Sequence, residues 1–299
     1  MHVQRMTKRV AMGALFRLVH LTGRRLHDGG ITILSYHSID DSGTGISVPP
    51  RLFAAHMETL AAEGCAAFTM SEVARYLAEQ RPFPPRAVAI TFDDGFANVG
   101  TVAAPILARY SLPATIYVIT GMVGRALAWT QRGVPLPALP LLTWAQIAGL
   151  QEAGHEIGAH TVTHGFLTQC SPAELQRELG ESRAVLERML QTPVLSFAYP
   201  QGDYNAAVLA ATRVAGYTSA TTIDQGRAGH RHDPFRLPRL HVGGNTTSAI
   251  LRAYTVPTAG PTYRLINAAI RGLLGRKTWP RPHPEEIQST RTRPLPDTL

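Results

Sequence analysis

A short apolar run that ends in two adjacent acids, Ala87-Val88-Ala89-Ile90-Thr91-Phe92-Asp93-Asp94-Gly95, constrains this chain more than any other stretch. Its β-branched apolar residues read as a buried strand, and Gly95 supplies the turn that ends it. Neighbouring carboxylates repel one another, so a fold that keeps both ionised must offset that repulsion, most simply with a cation. Candidate ligands for it lie downstream. A second strand-like run, His155-Glu156-Ile157-Gly158-Ala159, leads into His160 and His164, four residues apart. Two imidazoles and one carboxylate leave coordination positions open to water, as in a catalytic rather than a structural zinc-type site. An Asp-Asp-Gly alone is most often a solvated turn, and a lone His pair is most often a surface feature. In combination, each just after an apolar strand, they open onto the carboxyl-end face of a parallel α/β sheet or barrel, where active sites collect.

The rest of the body alternates between strand and helix. Ile31 to His37 reads as a strand ending in a titratable group, and Pro50 to Gly64 as a helix with Leu52, Phe53, Met57 and Leu60 at helical spacing. Further helices are expected over Ser71 to Glu79, Val99 to Tyr110, Thr143 to Ala153, Ser171 to Leu190 and Asn205 to Ala215. Strands are expected over Ala114 to Ile119, Leu195 to Ala198, Tyr217 to Thr221 and Phe235 to Val242. This alternation argues for parallel βα units that close into a distorted (β/α) barrel, a single α/β domain. Gly121 to Leu142 is a Gly/Pro-rich insertion with Trp129, placed to wall a substrate site.

With 299 residues, 44% hydrophobic and 17% charged, the chain can bury one sizeable core. Its net charge of +8 sits at the ends: residues 1–30 hold six Lys/Arg against one acid, and residues 256–299 hold seven against three. The middle therefore carries 16 − 17 = −1. No basic stripe interleaved with aromatics crosses the body, which speaks against nucleic acid as a partner. Residues 1–30 read as a basic amphipathic segment suited to a membrane surface, 31–255 as the catalytic domain, and 256–299 as a Pro/Arg-rich tail with a short helix near Tyr263 to Leu274. Arg17 and His20 interrupt the N-terminal apolar run and no small-residue cleavage site comes after it, so no signal peptide is expected and a cytoplasmic location is. Cys65 and Cys170 form no Cys-x-x-Cys and no disulfide framework.

Thr91-Phe92-Asp93-Asp94-Gly95, His160-Thr161-Val162-Thr163-His164 and Phe197-Ala198-Tyr199-Pro200-Gln201-Gly202 resemble the successive motifs of the polysaccharide deacetylases, the NodB-homology enzymes of carbohydrate esterase family 4. The resemblance runs from about Ile31 to Val242. It implies a NodB-type barrel and a hydrolase that removes N-acetyl groups from an N-acetylated glycan, whether a polysaccharide, peptidoglycan or a lipid-linked sugar, releasing acetate. It assigns a divalent ion, Zn2+ first, to Asp94, His160 and His164. Asp93 is then the base that takes a proton from water, and the backbone N–H of Gln201 the donor to the oxyanion. The Tyr36-His37 strand looks like a circularly permuted copy of the family's final strand, so the general-acid role falls on His37, with His241 as its rival. Many members carry an arginine where this chain has Ala198 and an aromatic where it has Gln201. Arg239, near the end of the last strand, is the candidate to restore the guanidinium, and Tyr199 the aromatic wall. Two other readings remain, a hydrolase of a different non-peptide C–N bond and an inactive glycan-binding module; intact Asp93, Asp94, His160 and His164 argue against the second.

Overall fold

The computed structural model describes residues 26–257, save 128, 129, 132, 133, 136 and 137, together with Phe16, His20, Leu21 and Gly23. The expected N-terminal membrane segment lies largely outside the described residues, and Trp129 and the helix near Tyr263 to Leu274 lie wholly outside them. Strands β1 (Thr32–Tyr36), β2 (Ala67–Phe68), β3 (Val88–Phe92), β4 (Thr115–Val118), β5 (Glu156–Ala159), β6 (Ser196–Ala198), β7 (Ser219–Gln225) and β8 (Leu237–His241) form one parallel sheet. Because β1 pairs with β8 on one side and β3 on the other, seven of them close into a barrel in the order β1-β8-β7-β6-β5-β4-β3. The eighth, β2, pairs with Val88 and Ala89, the half of β3 that β4 does not reach.

Alternation along the strands divides the core in two. Val88, Ile90 and Phe92 face outward and join Leu34, Tyr36, Ile116 and Val118 beneath the helices. Ala87 and Ala89 face inward and meet Ile31, Ile33, Tyr117, Ala198 and Leu237 inside the barrel. The covering helices are α1 (Pro50–Ala62), α2 (Met70–Ala78), α3 (Ala104–Arg109), α4 (Trp144–Glu152), α5 (Pro172–Gln176), α6 (Ser182–Leu190), α7 (Ala206–Val214) and α8 (Ser248–Tyr254). Thr69 with Glu72, Thr143 with Gln146 and Ser171 with Glu174 close capping boxes that fix where three of them start. None of the helices among the described residues is long and apolar enough to cross a membrane.

The expected segments recur with three differences. Wide π turns over Val99–Ala103 and Arg177–Glu181 interrupt two stretches that the periodicity reads as continuous helix. The seven-residue helix α8, started by the Thr247 side chain accepting from the Ile250 N–H, and the two-residue β2 were not expected at all. The insertion after β4 carries two short antiparallel ribbons, Ala126–Leu127 with Leu139–Pro140 and Thr130–Gln131 with Val134–Pro135. Its base returns to the acidic turn, where the Leu142 N–H donates to the Gly95 carbonyl at 2.8 Å.

A buried histidine fastens the seam of the barrel. The Tyr36 hydroxyl donates to His56 Nδ1 at 3.2 Å, and His56 Nε2–H donates to the Thr246 carbonyl at 2.6 Å, joining β1, α1 and the loop before α8. Both contacts suit the neutral ring, and burial, only partly countered by the Thr246 carbonyl, pushes its pKa from 6.5 down to about 4. The unfolded chain therefore takes up a proton that the folded chain refuses, so stability is complete above pH 6.5 and falls as the pH drops towards 4. The loss from this residue between pH 7 and pH 4 is about 3 kcal/mol. Urea unfolding of wild type and His56→Gln at both pH values checks it: the variant starts less stable and loses correspondingly less on acidification.

Candidate active site

β3 delivers the two acids to the same cavity by two different means. Strand alternation points Asp93 inward, and its N–H donates to the Tyr36 carbonyl of β1 at 3.0 Å. Asp94 then takes a left-handed conformation, φ 72°, which turns the chain so that a second consecutive carboxylate also enters the interior. Both are almost fully buried. They are then separated electrostatically.

Asp93 belongs to Arg239, which β8 projects into the barrel. Nη1 and Nη2 each lie 2.7 Å from one Asp93 oxygen, a bidentate pair, while Nη1 also donates to Thr91 Oγ1 at 3.2 Å and Nε to the Thr222 carbonyl at 2.9 Å. Arg239 is 1% exposed, so its charge survives burial because its donors are matched to acceptors on β3, at the end of β3 and on β7. Burial alone would raise the Asp93 pKa, but the charge and hydrogen bonds of Arg239 hold it below the ordinary carboxylate value. The guanidinium thus arrives at Asp93 from β8, passing over the Tyr117 ring with its centre 6.0 Å from the ring centroid.

Asp94 belongs to the histidines. His160 Nε2 lies 3.4 Å and His164 Nε2 3.2 Å from Asp94 Oδ1, and one ligand atom from each of the three falls within 4.8 Å of the others. His160 Nδ1–H donates to the Ala198 carbonyl at 2.7 Å, which leaves Nε2 as the nitrogen that faces Asp94. Asp94 Oδ2 is buried with no hydrogen-bond partner. Two imidazole nitrogens, a carboxylate and an orphaned carboxylate oxygen fit a divalent ion of the zinc type, with positions left for water or substrate. Burial works against the Asp94 charge, yet the two rings outweigh it and carry the carboxyl well below its usual range.

His37 comes directly after β1, with Nε2 3.9 Å from Asp93 Oδ2. His241 ends β8, and its ring stands edge-on to that of His37 at 5.7 Å. Arg239 and His241, two residues apart on one strand, share the inward face. His241 bonds to the Gly45 carbonyl, and burial, with the nearby positive charges of His37 and Arg239, pushes its pKa down to about 3. Gln201 occupies a left-handed turn, φ 56°, just beyond β6. Tyr199 corrects an expectation. Its ring is buried on the outer side of β6 against Phe197 and Tyr204, and its hydroxyl donates to the Phe235 carbonyl at 3.1 Å, so it walls no active site. The period-two phase that turns Ala198 inward turns Tyr199 outward. A residue not singled out from the sequence is Glu178, whose carboxylate grips the backbone between His160 and His164. Its position on an expected amphipathic helix, beside Leu179, was the one signal pointing to it.

The family model described as polysaccharide deacetylase matches residues 80–220. YxkH of Bacillus subtilis (strain 168), a protein named for that family, is 30% identical over 75% of this chain and 75% of its own length. The Streptococcus pyogenes deacetylase PplD, solved in complex with acetate, is 28% identical with a TM-score of 0.66, covering 73% of this chain and 95% of that one. A poly-beta-1,6-N-acetyl-D-glucosamine N-deacetylase of Staphylococcus epidermidis is 25% identical over 70% of this chain and 72% of its own.

Because Arg239 is buried opposite a buried acid, Arg239→Met leaves Asp93 as an uncompensated charge and costs about 3–5 kcal/mol of stability. Adding Asp93→Asn removes that charge and recovers a large part of the loss. A double-mutant cycle in urea reads the coupling directly, and additive losses would show that the pair is not energetically joined.

Proposed function

Because the chain belongs to the polysaccharide deacetylase family, we propose that it removes acetyl groups from a β-1,6-linked N-acetylglucosamine polymer or a near relative of it, using a divalent ion of the zinc type. As a polysaccharide deacetylase it is a hydrolase of non-peptide C–N bonds. The observation that carries the finer reading is the division of labour between adjacent acids: Asp93 is held ionised by Arg239, while Asp94 faces two histidines with one oxygen unpartnered. The linkage rests on the Staphylococcus epidermidis relative, whose name specifies that polymer.

When bound, an ion on Asp94, His160 and His164 would polarise the acetamide carbonyl and make water ionisable near neutral pH. The protein does the rest. Asp93, outside the ion's ligand set, accepts a proton from the attacking water as the new C–O bond forms. The Gln201 N–H supports the oxyanion of the tetrahedral intermediate. The C–N bond then breaks, and His37 delivers a proton to the departing sugar nitrogen, leaving acetate and a free amine. Burial lowers the His37 pKa against the pull of Asp93 and Asp94, so the ring starts neutral. The proton it delivers is the one collected by Asp93, 3.9 Å away. His241 is poorly suited to this role, because burial and the charge of Arg239 hold its ring against protonation despite the Gly45 carbonyl.

Acetate release from β-1,6-linked N-acetylglucosamine oligomers, chitin oligomers and peptidoglycan, before and after metal removal, tests the reading. The β-1,6 oligomers should react fastest, chelation should abolish release and zinc restore it. Full activity in protein shown by elemental analysis to hold no metal would sink the metal assignment. Asp94→Ala and His160→Ala should lose metal and activity together, whereas Asp93→Asn should lose activity with metal retained.

His37→Ala should keep its metal and slow amide hydrolysis by about 10²–10⁴. The loss should shrink on an activated acetate ester, whose leaving group needs no proton. If His241→Ala shows that leaving-group dependence and His37→Ala behaves as wild type, the acid is His241.

A further inference from the structure

The loop that carries both histidines is held from outside by a single buried carboxylate. Glu178 is 3% exposed, and its Oε2 accepts from the Val162 and Thr163 N–H groups, each at 2.9 Å, while Oε1 accepts from the Thr163 hydroxyl at 2.9 Å. All three donors lie between His160 and His164. We propose that Glu178 is a positioning residue for the metal centre, setting the conformation in which the two imidazoles converge on Asp94. The proposal rests on the metal reading above.

The loop needs such a hold because its shape is unfavourable. Thr161, φ 68°, and His164, φ 62°, are both left-handed, and β-branched threonine is among the residues least tolerant of that region. With this double reversal, residues four apart in a non-helical segment reach one carboxylate oxygen. Bonds within the loop and to its neighbour contribute: the His164 N–H donates to Thr161 Oγ1 at 2.8 Å, and the Thr120 and Gly121 N–H groups donate to the Thr161 and Val162 carbonyls at 3.1 and 2.9 Å. Gly121 is required there, since a Cβ would stand 2.5 Å from the Val162 carbonyl oxygen. These neutral bonds fix one side of the loop. On the other side the grip is charge-assisted, with two consecutive N–H groups and a hydroxyl on one carboxylate, roughly twice as strong per bond.

The helix is shaped to supply that carboxylate. Glu178 sits in the π turn Arg177–Glu181, between α5 and α6. A π turn inserts a residue into the helical path and rotates the facing of the residues beyond it. Here both Glu178 and Leu179 are buried, one on the loop and the other in the outer core. Committing a buried carboxylate to backbone N–H groups is costly unless the conformation it fixes matters.

Zinc dissociation constants from chelator competition, with the visible spectrum of the Co2+-loaded protein, provide the test. Glu178→Ala should weaken zinc binding by about ten- to a hundredfold, the usual scale for a residue that orients ligands, and should alter the Co2+ bands. Glu178→Gln retains one carbonyl acceptor and should fall between, and Thr163→Val, which loses only the hydroxyl contact, should weaken zinc binding least. The control is Glu156→Ala. Glu156 accepts from the Ser71 N–H and from the hydroxyls of Ser71, Thr115 and Ser196, so its loss is structurally comparable but concerns the opposite end of β5. It should lower the unfolding temperature and leave the zinc constant unchanged. Wild-type zinc affinity in Glu178→Ala, or equal weakening in Glu156→Ala, overturns the proposal. Should Glu178→Ala fail to fold, wild-type affinity in Glu178→Gln overturns it just as well. A wild-type protein that binds no zinc would instead overturn the metal reading on which it rests.

Discussion

Everything at the site depends on how two consecutive carboxylates are kept charged inside a barrel. Left together they would repel, and one would take up a proton. The structure separates them by giving each its own cationic or potentially cationic partner from a different strand: Arg239 of β8 for Asp93, and the His160–His164 loop after β5 for Asp94. The bidentate geometry on Asp93 occupies both of its oxygens, whereas Asp94 keeps one oxygen without a partner. On that asymmetry rest the proposed roles of Asp93 as base and Asp94 as metal ligand.

Closure of the barrel is what makes the partners available. β1 lies between β8 and β3, with Leu34 opposite both Leu240 and Ile90. In this register the residue after β1, His37, stands beside the acids of β3 on one side and the histidine of β8 on the other. The first and last barrel strands are therefore neighbours at the site. Arg239 shows the reach this gives: from β8 it meets Asp93 at the end of β3, with β1 between the two strands.

The parts legible in the sequence were those encoded locally. The His160–His164 pair, the β3 turn and most helices each depend on spacing within a few residues, while Asp94, 66 residues before His160, joins the pair because both follow strands that end at one face of the barrel. The pairing of Arg239 with Asp93 spans 146 residues, so the sequence offered Arg239 only as a candidate and the register made it a partner. Tyr199 was misplaced because motif position gives no strand phase, while one residue of phase decides inside from outside. Both π turns were invisible because a single extra residue barely disturbs a 3.6-residue apolar period. Helix α8 is too short for periodicity to declare it, and its cap lies in a run of Asn and Thr that reads equally well as loop.

The conformational cost of the site falls on its rim. Asp94, Thr161, His164 and Gln201 all have φ between 56° and 72°, and none is glycine. Such conformations cost of order 1–3 kcal/mol each and persist only where the surroundings determine them. Each here is fastened on both sides: the turn after Asp94 by the Leu142 N–H on the Gly95 carbonyl, the histidine loop by Thr120, Gly121 and Glu178, and Gln201 by the Gly202 and Asp203 N–H groups on the Tyr199 and Pro200 carbonyls. The insertion after β4 contributes the first of these bonds and, through Thr120 and Gly121 at its start, the second set. It therefore braces the two loops that bear Asp94, His160 and His164. A barrel whose strands end in relaxed conformations would splay these side chains apart; reversing the chain at four points, and holding each reversal by main-chain bonds, turns them back over the mouth.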